Sequence, residues 1–201
     1  MATFDEQARE WDNDPMKVER AEKLAIEIKK NITIKPNMSA LDFGCATGLL
    51  SFFLKDNFNS ISLADMSKEM ISVLNEKIQR NQLTHFQSIL LSENSILPTN
   101  SYDVIYTSMT LHHIPDLQAI LAQFYNSLKD NGIVCIADLV QEDGSFHNHD
   151  SSFDGHNGFS KEKLENQFIN NGFIILHYQQ FYSISKNERE YPLFLMFAQK
   201  K

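Results

Sequence analysis

The stretch Ser39–Leu50, SALDFGCATGLL, contains the strongest structural signal in the sequence. An apolar run ending in Asp42 and Phe43 meets Gly44, and Gly48 follows four residues later, just before a second apolar run. This pattern predicts a buried strand that turns sharply into a helix, because glycine accepts positive φ and lets a ligand approach the backbone. The start of such a helix favours an anionic group. We therefore expect a nucleotide-like ligand here, the alternative being a turn that binds nothing.

Apolar strands alternate with amphipathic helices along the rest of the chain. After the first strand, the pattern predicts strands over Ser60–Ala64, His85–Leu91, Tyr102–Ser108, Gly132–Leu139, Phe173–Ser183 and Pro192–Gln199. It predicts helices over residues 15–30, 67–81, 116–128 and 160–171. Such alternation forms a parallel sheet covered on both faces, whereas two strands joined directly pair antiparallel. The prediction is an α/β fold with a wound, mostly parallel sheet of seven strands and an antiparallel C-terminal strand.

Size and charge restrict the class of protein. The 201 residues have room for one domain, residues 1–201, and for no second one. The net charge is −8, and no basic cluster occurs beyond Lys29–Lys30 and Lys200–Lys201. Nucleic acid is therefore not expected as a partner.

The location in the cell is predicted from the apolar runs. The N-terminal segment MATFDEQAREWDND lacks the apolar stretch of a signal peptide, and the longest apolar runs have the length of strands. We expect a cytoplasmic chain with no membrane partner. Cys45 and Cys135 have no metal-type spacing and are expected to be reduced and structural.

Two segments lie outside the alternation of strands and helices. Residues 1–30 form an N-terminal cap segment and helix, in which Trp11 either packs the segment on the body or covers a ligand. Residues 140–159 form a polar stretch without helical or strand periodicity, and loops of this length are usually lids, binding loops or disordered segments.

The carboxyl ends of the strands are the expected places for functional side chains, because ligands of wound sheets bind there. Asp65 ends the second strand about twenty residues after the glycines, at a position where a carboxylate accepts hydrogen bonds from both ribose hydroxyls. The alternative is that Asp65 only begins a helix.

Four segments, one of them the strand end LADMS that contains Asp65, together resemble one family, the class I S-adenosylmethionine-dependent methyltransferases. LDFGCATG resembles the family's first motif, commonly LDxGxGxG, with Ala46 at the middle glycine. SENSILPTNSYDVI resembles the segment in which an acid precedes an LP pair, with Glu93 in place of the usual Asp. TSMTLHHIPD resembles the LHH-type segment after the fourth strand. The resemblance is nearest to the small-molecule enzymes and implies a Rossmann-like fold that binds S-adenosylmethionine.

The resemblance also implies a set of cofactor-binding residues. Asp65 would bind the ribose, Met66 would lie against the adenine, and Glu93 would accept a hydrogen bond from the adenine amino group. The full set is Asp42, Gly44, Cys45, Ala46, Gly48, Asp65, Met66, Ser92, Glu93, Asn94, Thr107, Leu111 and His112.

Histidines are the candidate catalytic residues, because an imidazole accepts a proton at neutral pH. We predict His112 as the base with His147 as the alternative, although one of the adjacent His112 and His113 could instead be structural. The predicted substrate-binding residues are Trp11, His113, His147 and His156. No metal site is predicted, although the spacing of His147, His149 and His156 does not forbid one.

The implied function is methyl transfer by in-line displacement to a small-molecule acceptor, in a monomer or homodimer. One alternative is a non-catalytic protein that binds S-adenosylmethionine. The other is a nicotinamide-dependent oxidoreductase, which the GxxxG spacing disfavours because dinucleotide sites carry GxGxxG.

Overall fold

A computed structural model describes residues 4–149 and 151–201. Within them, seven strands form one mixed sheet. The strands are β1 (Ser39–Phe43), β2 (Ser60–Asp65), β3 (Phe86–Leu90), β4 (Tyr102–Ser108), β5 (Leu128–Leu139), β6 (Phe173–Lys186) and β7 (Arg189–Lys200). The α-helices are α1 (Phe4–Gln7), α2 (Pro15–Asn31), α3 (Leu49–Phe53), α4 (Lys68–Arg80), α5 (Leu117–Ser127) and α6 (Lys161–Asn170). Short 3-10 helices cover Ala8–Asn13, Leu111–His113 and Ser145–His147.

The chain divides into two compact units, with the boundary between Ile96 and Leu97. In the first unit, β2 lies between β3 and β1, and both of its neighbours run parallel to it. In the second unit the order is β4-β5-β7-β6, in which β4 and β5 are parallel and β7 is antiparallel to β5 and β6. The predicted fold class is therefore confirmed, whereas a single domain over residues 1–201 stays a prediction. None of the described helices combines the length and the apolar character needed to span a bilayer.

The helices begin where the sequence provides caps. The Asp14 carboxylate accepts a hydrogen bond from the backbone N–H of Met16, and Pro15 occupies the first turn of α2. The hydroxyl of Ser67 accepts a hydrogen bond from the N–H of Met70 at the start of α4. The buried face of α4 then packs Leu74 into the apolar core of the first unit.

The structure corrects several predicted boundaries. β6 extends to Lys186 rather than to Ser183, and β7 begins at Arg189 rather than at Pro192. β5 begins at Leu128 rather than at Gly132. The pairing with β4 jumps from Tyr102–Leu128 to Val104–Ile133. Asn131, with φ of 62°, therefore lies in a bulge of the strand. The last two strands pair antiparallel as predicted.

The turn between β1 and α3 depends on its glycines. Gly44 and Gly48 have φ of 71° and 83°, a region that favours glycine. A Cβ atom on Gly48 would lie 2.8 Å from Leu74 Cδ1 and 3.1 Å from Leu63 Cδ2. Ala46 also has positive φ, 48°, at the position where the family pattern has glycine. The helix that follows the turn has only five residues.

We expect the substitution Gly48→Ala to lower the free energy of unfolding by about 2 kcal/mol or more, because it adds both backbone strain and overpacking. The matched control is Ala46→Gly, which removes strain in the folded state and adds chain entropy in the unfolded state. Its effect should stay within about 1 kcal/mol. Urea denaturation measures both variants, and equal losses would contradict the role of Gly48.

Candidate functional site

Asp65 holds the glycine turn against the end of β2. The carboxylate oxygen Oδ2 accepts a hydrogen bond from the N–H of Ala46 at 2.8 Å, and Oδ1 accepts one from the N–H of Ser67 at 2.9 Å. The N–H groups of Gly44 and Cys45 donate to the carbonyl oxygen of Ala64. Because each carboxylate oxygen has two acceptor sites, Asp65 keeps capacity for further donors such as hydroxyl groups. Burial raises the pKa of Asp65, against the hydrogen bonds from these N–H groups.

Asp42 lies beneath the same turn. It is 3% exposed, and its carboxylate accepts a hydrogen bond from the Ser51 hydroxyl at 2.6 Å. The bond links the end of β1 to α3. Burial raises the pKa of Asp42 to about 7, with a smaller opposing effect from Ser51 and a smaller raising effect from the charge of Asp65. In the structure, the hydrogen bond between Asp42 and Ser51 thus stabilises the turn between β1 and α3.

The N-terminal segment is attached to the turn by a polar contact that the sequence did not reveal. The Asp12 carboxylate accepts hydrogen bonds from the Thr47 hydroxyl and from Lys77 Nζ. Lys77 also donates to the carbonyl oxygen of Thr47 at 2.8 Å. Trp11 is the neighbour of Asp12 in sequence. Lys17 Nζ lies over the Trp11 ring, 3.8 Å from the ring centroid, in a cation–π contact. The predicted contact of Trp11 with substrate stays a prediction.

The ends of β2 and β3 leave apolar and polar side chains accessible. Met66 is 58% exposed although it is large and apolar. Ser92, Glu93 and Asn94 are exposed in the segment after β3, where the N–H of Ser92 donates to the Ser95 hydroxyl at 2.8 Å. The accessible thioether of Met66 and these polar side chains fit the predicted contacts with a flat, polar-edged ring such as adenine.

In the second unit, β4 and the 3-10 helix that follows it place two predicted cofactor residues in the interior. Thr107 and Leu111 are both buried. The Thr107 hydroxyl oxygen has no hydrogen-bond partner among the described residues. A buried hydroxyl without a protein partner is unusual, because most buried polar groups are hydrogen-bonded.

A buried hydrogen bond joins His112 to Asp138. His112 Nδ1 lies 2.5 Å from Asp138 Oδ1, and Asp138 Oδ2 accepts a bond from the His112 N–H at 3.3 Å. Burial alone would raise the pKa of Asp138, but the charge and hydrogen bonds of His112 and the Leu139 N–H lower it. Because the carboxylate accepts a hydrogen bond from Nδ1–H, the Nε2 atom of a neutral His112 carries the lone pair. That Nε2 is buried and has no hydrogen-bond partner among the described residues.

Three histidines converge around this atom. The ring centroid of His112 lies 4.1 Å from that of His113 and 5.3 Å from that of His147. One nitrogen of each of these three residues lies within 4.8 Å of the others. Burial, aided by the charge of His112, lowers the pKa of His113 to about 3 and that of His147 to about 4. Both rings are therefore neutral at neutral pH. We call His112, His113 and His147 the histidine cluster.

The β6–β7 hairpin holds His147 in the cluster. The carboxylate of Glu142 accepts hydrogen bonds from the N–H groups of Gly144 and Phe146. Lys186 of β6 donates to the carbonyl oxygen of Phe146. The Tyr191 hydroxyl of β7 donates to the hydroxyl oxygen of Ser145 at 3.0 Å. His147 itself stacks on Phe153, with ring centroids 3.9 Å apart.

The polar stretch 140–159 contains local structure that its sequence did not predict. Val140 and Phe159 form a parallel bridge, and a 3-10 helix lies between them. His156 donates its N–H to the carbonyl oxygen of His112 and places Nε2 2.9 Å from that of Ile114. His156 thus attaches the stretch to the LHH segment and lies outside the cluster. The sequence considered His147 together with His149 and His156, whereas the structure places His147 with His112 and His113. Position 150 of the predicted lid lies outside the described residues.

Sequence reasoning missed Asp138 as a site residue. The signal was present, because an acid inside the apolar run GIVCIADL of a parallel strand requires a buried partner.

Comparison with known proteins identifies relatives of the chain. A family model described as a methyltransferase domain matches residues 16–178. An uncharacterized methyltransferase of Schizosaccharomyces pombe is 31% identical over 155 residues, which are 70% of this chain and 55% of that protein. A phosphoethanolamine N-methyltransferase of Triticum aestivum is 28% identical over 136 residues, which are 67% of this chain and 27% of that protein. The chain thus spans about half, or less, of the length of these curated relatives.

Among solved structures, phosphoethanolamine N-methyltransferase 2 of Haemonchus contortus in complex with S-adenosyl-L-methionine superposes with a TM-score of 0.75 at 15% sequence identity. The match covers 100% of this chain and 60% of that one. At this identity the likeness shows the fold.

The raised pKa of Asp42 makes stability depend on pH. Because the folded state favours the protonated carboxyl, the unfolded chain loses this proton first as pH rises, and wild-type stability falls between about pH 4 and pH 7. Asp42→Asn keeps an acceptor for Ser51 and removes the titration. The variant's stability relative to wild type should therefore increase by about 2 to 3 kcal/mol from pH 5 to pH 8. Urea denaturation at the two pH values measures the difference, and a constant difference would contradict the burial of an ionisable Asp42.

Proposed function

This chain belongs to the class I S-adenosylmethionine-dependent methyltransferases, and on that premise we propose that it moves a methyl group from S-adenosylmethionine to a small-molecule acceptor. The observation that carries the proposal is the Asp65 carboxylate, 2.8 Å from the N–H of Ala46 in the glycine turn. This arrangement places an acceptor for ribose hydroxyls beside a turn whose glycines admit a ligand.

The residues of the first unit fit the cofactor. Asp65 keeps acceptor capacity for the two ribose hydroxyls after binding Ala46 and Ser67. Met66, 58% exposed, offers an apolar surface for adenine, and Glu93 offers an accessible carboxylate for its amino group. The family resemblance also assigns Asp42, Cys45, Gly48, Ser92 and Asn94 of the first unit to cofactor binding. Its assignment of Thr107, Leu111 and His112 to the methionine part stays a prediction.

The chemistry that the cofactor supplies is a methyl group on a sulfonium, which an acceptor atom attacks in line. The protein's contribution is to orient the acceptor and exclude water, which is worth up to about 7 to 11 kcal/mol where the geometry is good. His112 accepts the acceptor's proton at Nε2, and Asp138 stabilises the resulting imidazolium through Nδ1. His147 is the alternative base, and Phe146 and Phe153 shield the cluster from water.

The names of the relatives support a small-molecule acceptor. The matched phosphoethanolamine N-methyltransferase acts on a small molecule by its name, and phosphoethanolamine is therefore the first acceptor to test. His113, His147, His156 and Trp11 are the proposed acceptor contacts. A cytoplasmic location, a monomer or homodimer, and the absence of nucleic-acid and membrane partners complete the proposal.

A non-catalytic protein that binds S-adenosylmethionine is the second candidate. The glycine turn and Asp65 would look the same in it. The unpaired Nε2 atoms of His112 and His147 favour the enzyme, because buried acceptors without partners suit a site that receives a proton or a ligand. Family membership removes the nicotinamide-dependent oxidoreductase.

Cofactor binding is tested by calorimetric titration with S-adenosylmethionine, S-adenosylhomocysteine and NADH. We expect both sulfur nucleotides to bind and NADH not to bind. Asp65→Asn should weaken the affinity by about tenfold to a hundredfold, because a hydrogen bond to a charged group is worth about 1.5 to 3 kcal/mol. The control Asp103→Asn removes an acid that pairs with Lys129 in the second unit and should leave the affinity unchanged. Binding of NADH alone would overturn the proposal.

The base is tested by measuring S-adenosylhomocysteine formation with a panel of small-molecule acceptors that begins with phosphoethanolamine. We expect His112→Ala to lower kcat by about 100-fold to 10,000-fold, because general bases contribute that much. The matched control is His149→Ala, an exposed histidine two residues after His147. If His112→Ala is fully active and His147→Ala is not, His147 is the base; full activity in both variants would remove the idea.

A further inference from the structure

We propose that His112, His113 and His147 form a binding site for one divalent transition-metal ion. The proposal goes beyond the methyl transfer proposed above and does not rest on it, since it concerns the free chain and the metal alone. It departs from the sequence prediction, which contained no metal site and considered only the histidines of the polar stretch.

The geometry brings three ligand atoms to one point. One nitrogen from each residue of the cluster lies within 4.8 Å of the other two. An ion bound at about 2.0 to 2.1 Å from each nitrogen would draw them to roughly 3.4 Å apart in a tetrahedral site. His113 and His147 are only partly buried and are the rings that can make this adjustment. His112 is fixed in the interior.

His112 is prepared as a ligand by its partner. Asp138 accepts a hydrogen bond at His112 Nδ1, at 2.5 Å, and the lone pair is thereby presented at Nε2. Metal-bound histidines almost always have such a partner, which fixes the tautomer and the ring orientation and raises the basicity of the ligand. A second bond, from the His112 backbone N–H to the same carboxylate, holds the turn in place.

Two of the three proposed ligands have a buried ring nitrogen that makes no hydrogen bond with the described residues. Nε2 of His112 and Nε2 of His147 are buried and have no hydrogen-bond partner among the described residues. His112 is 1% exposed, so that its ring has almost no contact with bulk solvent. An ion between the rings would satisfy both nitrogens, whereas stacking of the rings satisfies neither.

The ligand set selects the metal. Three imidazoles with no carboxylate oxygen in the cluster suit Zn²⁺, Co²⁺ or Ni²⁺, and do not suit Mg²⁺ or Ca²⁺, which prefer oxygen. Three protein ligands leave a fourth position open for water or for an acceptor atom. A bound ion would occupy His112 Nε2, so that His112 acts as the proposed base only in the metal-free chain. In the metal-bound chain, the ion would instead lower the pKa of a coordinated water or hydroxyl group.

The experiment titrates the full chain, without an affinity tag and treated with chelator, with Zn²⁺ by calorimetry and with Co²⁺ by visible absorption. We expect one ion per chain and a Co²⁺ spectrum of low-coordinate nitrogen ligation. His147→Gln and His112→Gln should each weaken the affinity at least tenfold, and Asp138→Asn should weaken it about 10- to 100-fold. His149→Gln, in the same stretch and outside the cluster, should bind as wild type does. Mg²⁺ should not bind.

The proposal is overturned if wild type binds no Zn²⁺ at one per chain, or if His147→Gln binds as tightly as His149→Gln. His147→Gln decides the question even where His112→Gln fails to fold, because His147 is partly exposed and its variant is checked by thermal melting without metal. Each sample is also titrated with S-adenosylmethionine. If the chain binds S-adenosylmethionine but not Zn²⁺, only this inference is refuted. If the chain binds Zn²⁺ but not S-adenosylmethionine, only the proposed function is refuted.

Discussion

The hydrogen bond between Asp138 and His112 is the constraint on which the second unit's site depends. Asp138 is fully buried at the end of β5, where an unpaired carboxylate would cost several kcal/mol. It is tolerated because it accepts from the His112 ring and from the backbone N–H groups of His112 and Leu139. The same His112 presents its carbonyl oxygen to the N–H of His156. One buried polar group thus connects a strand, the turn after β4 and the polar stretch.

The polar stretch is ordered by contacts with the hairpin that follows it in sequence. Tyr191 and Lys186 bind Ser145 and Phe146 on the interior side. The ion pair between Arg189 and Asp143 lies at the surface, with both side chains more than half exposed, and such pairs contribute little. The buried contacts therefore hold His147 in place. Residues 184–191, which lie between the two predicted C-terminal strands, mostly belong to β6 and β7 and supply Lys186 and Tyr191 to these contacts.

The fold could be predicted from sequence because its determinants are local. Periodicity placed β4 at Tyr102–Ser108, in agreement with the structure, and the glycine spacing identified the turn after β1. The start of β5 was wrong because the bulge at Asn131 places a turn-forming residue inside a strand, and no periodicity records that. The structure within residues 140–159 was missed for a related reason. Its stability comes from hydrogen bonds of Glu142 to backbone N–H groups, which leave no repeating pattern.

Part of the candidate site could also be predicted from the sequence, and part could not. Asp65 was predictable because strand, glycine turn and acid follow one another at a fixed spacing, and the ends of parallel strands meet at one edge. The histidine cluster joins residues that are 34 and 35 positions apart, across a strand and a stretch without periodicity, and sequence proximity grouped His147 with the wrong neighbours. Asp138 could have identified the correct partner of the LHH segment from the sequence. An acid in a buried parallel strand needs a partner from the segment that reaches the strand's end, and the LHH segment after the neighbouring strand supplies the nearest imidazole. In this chain, the buried acid of β5 therefore identifies His112 as the histidine that the fold fixes in the interior.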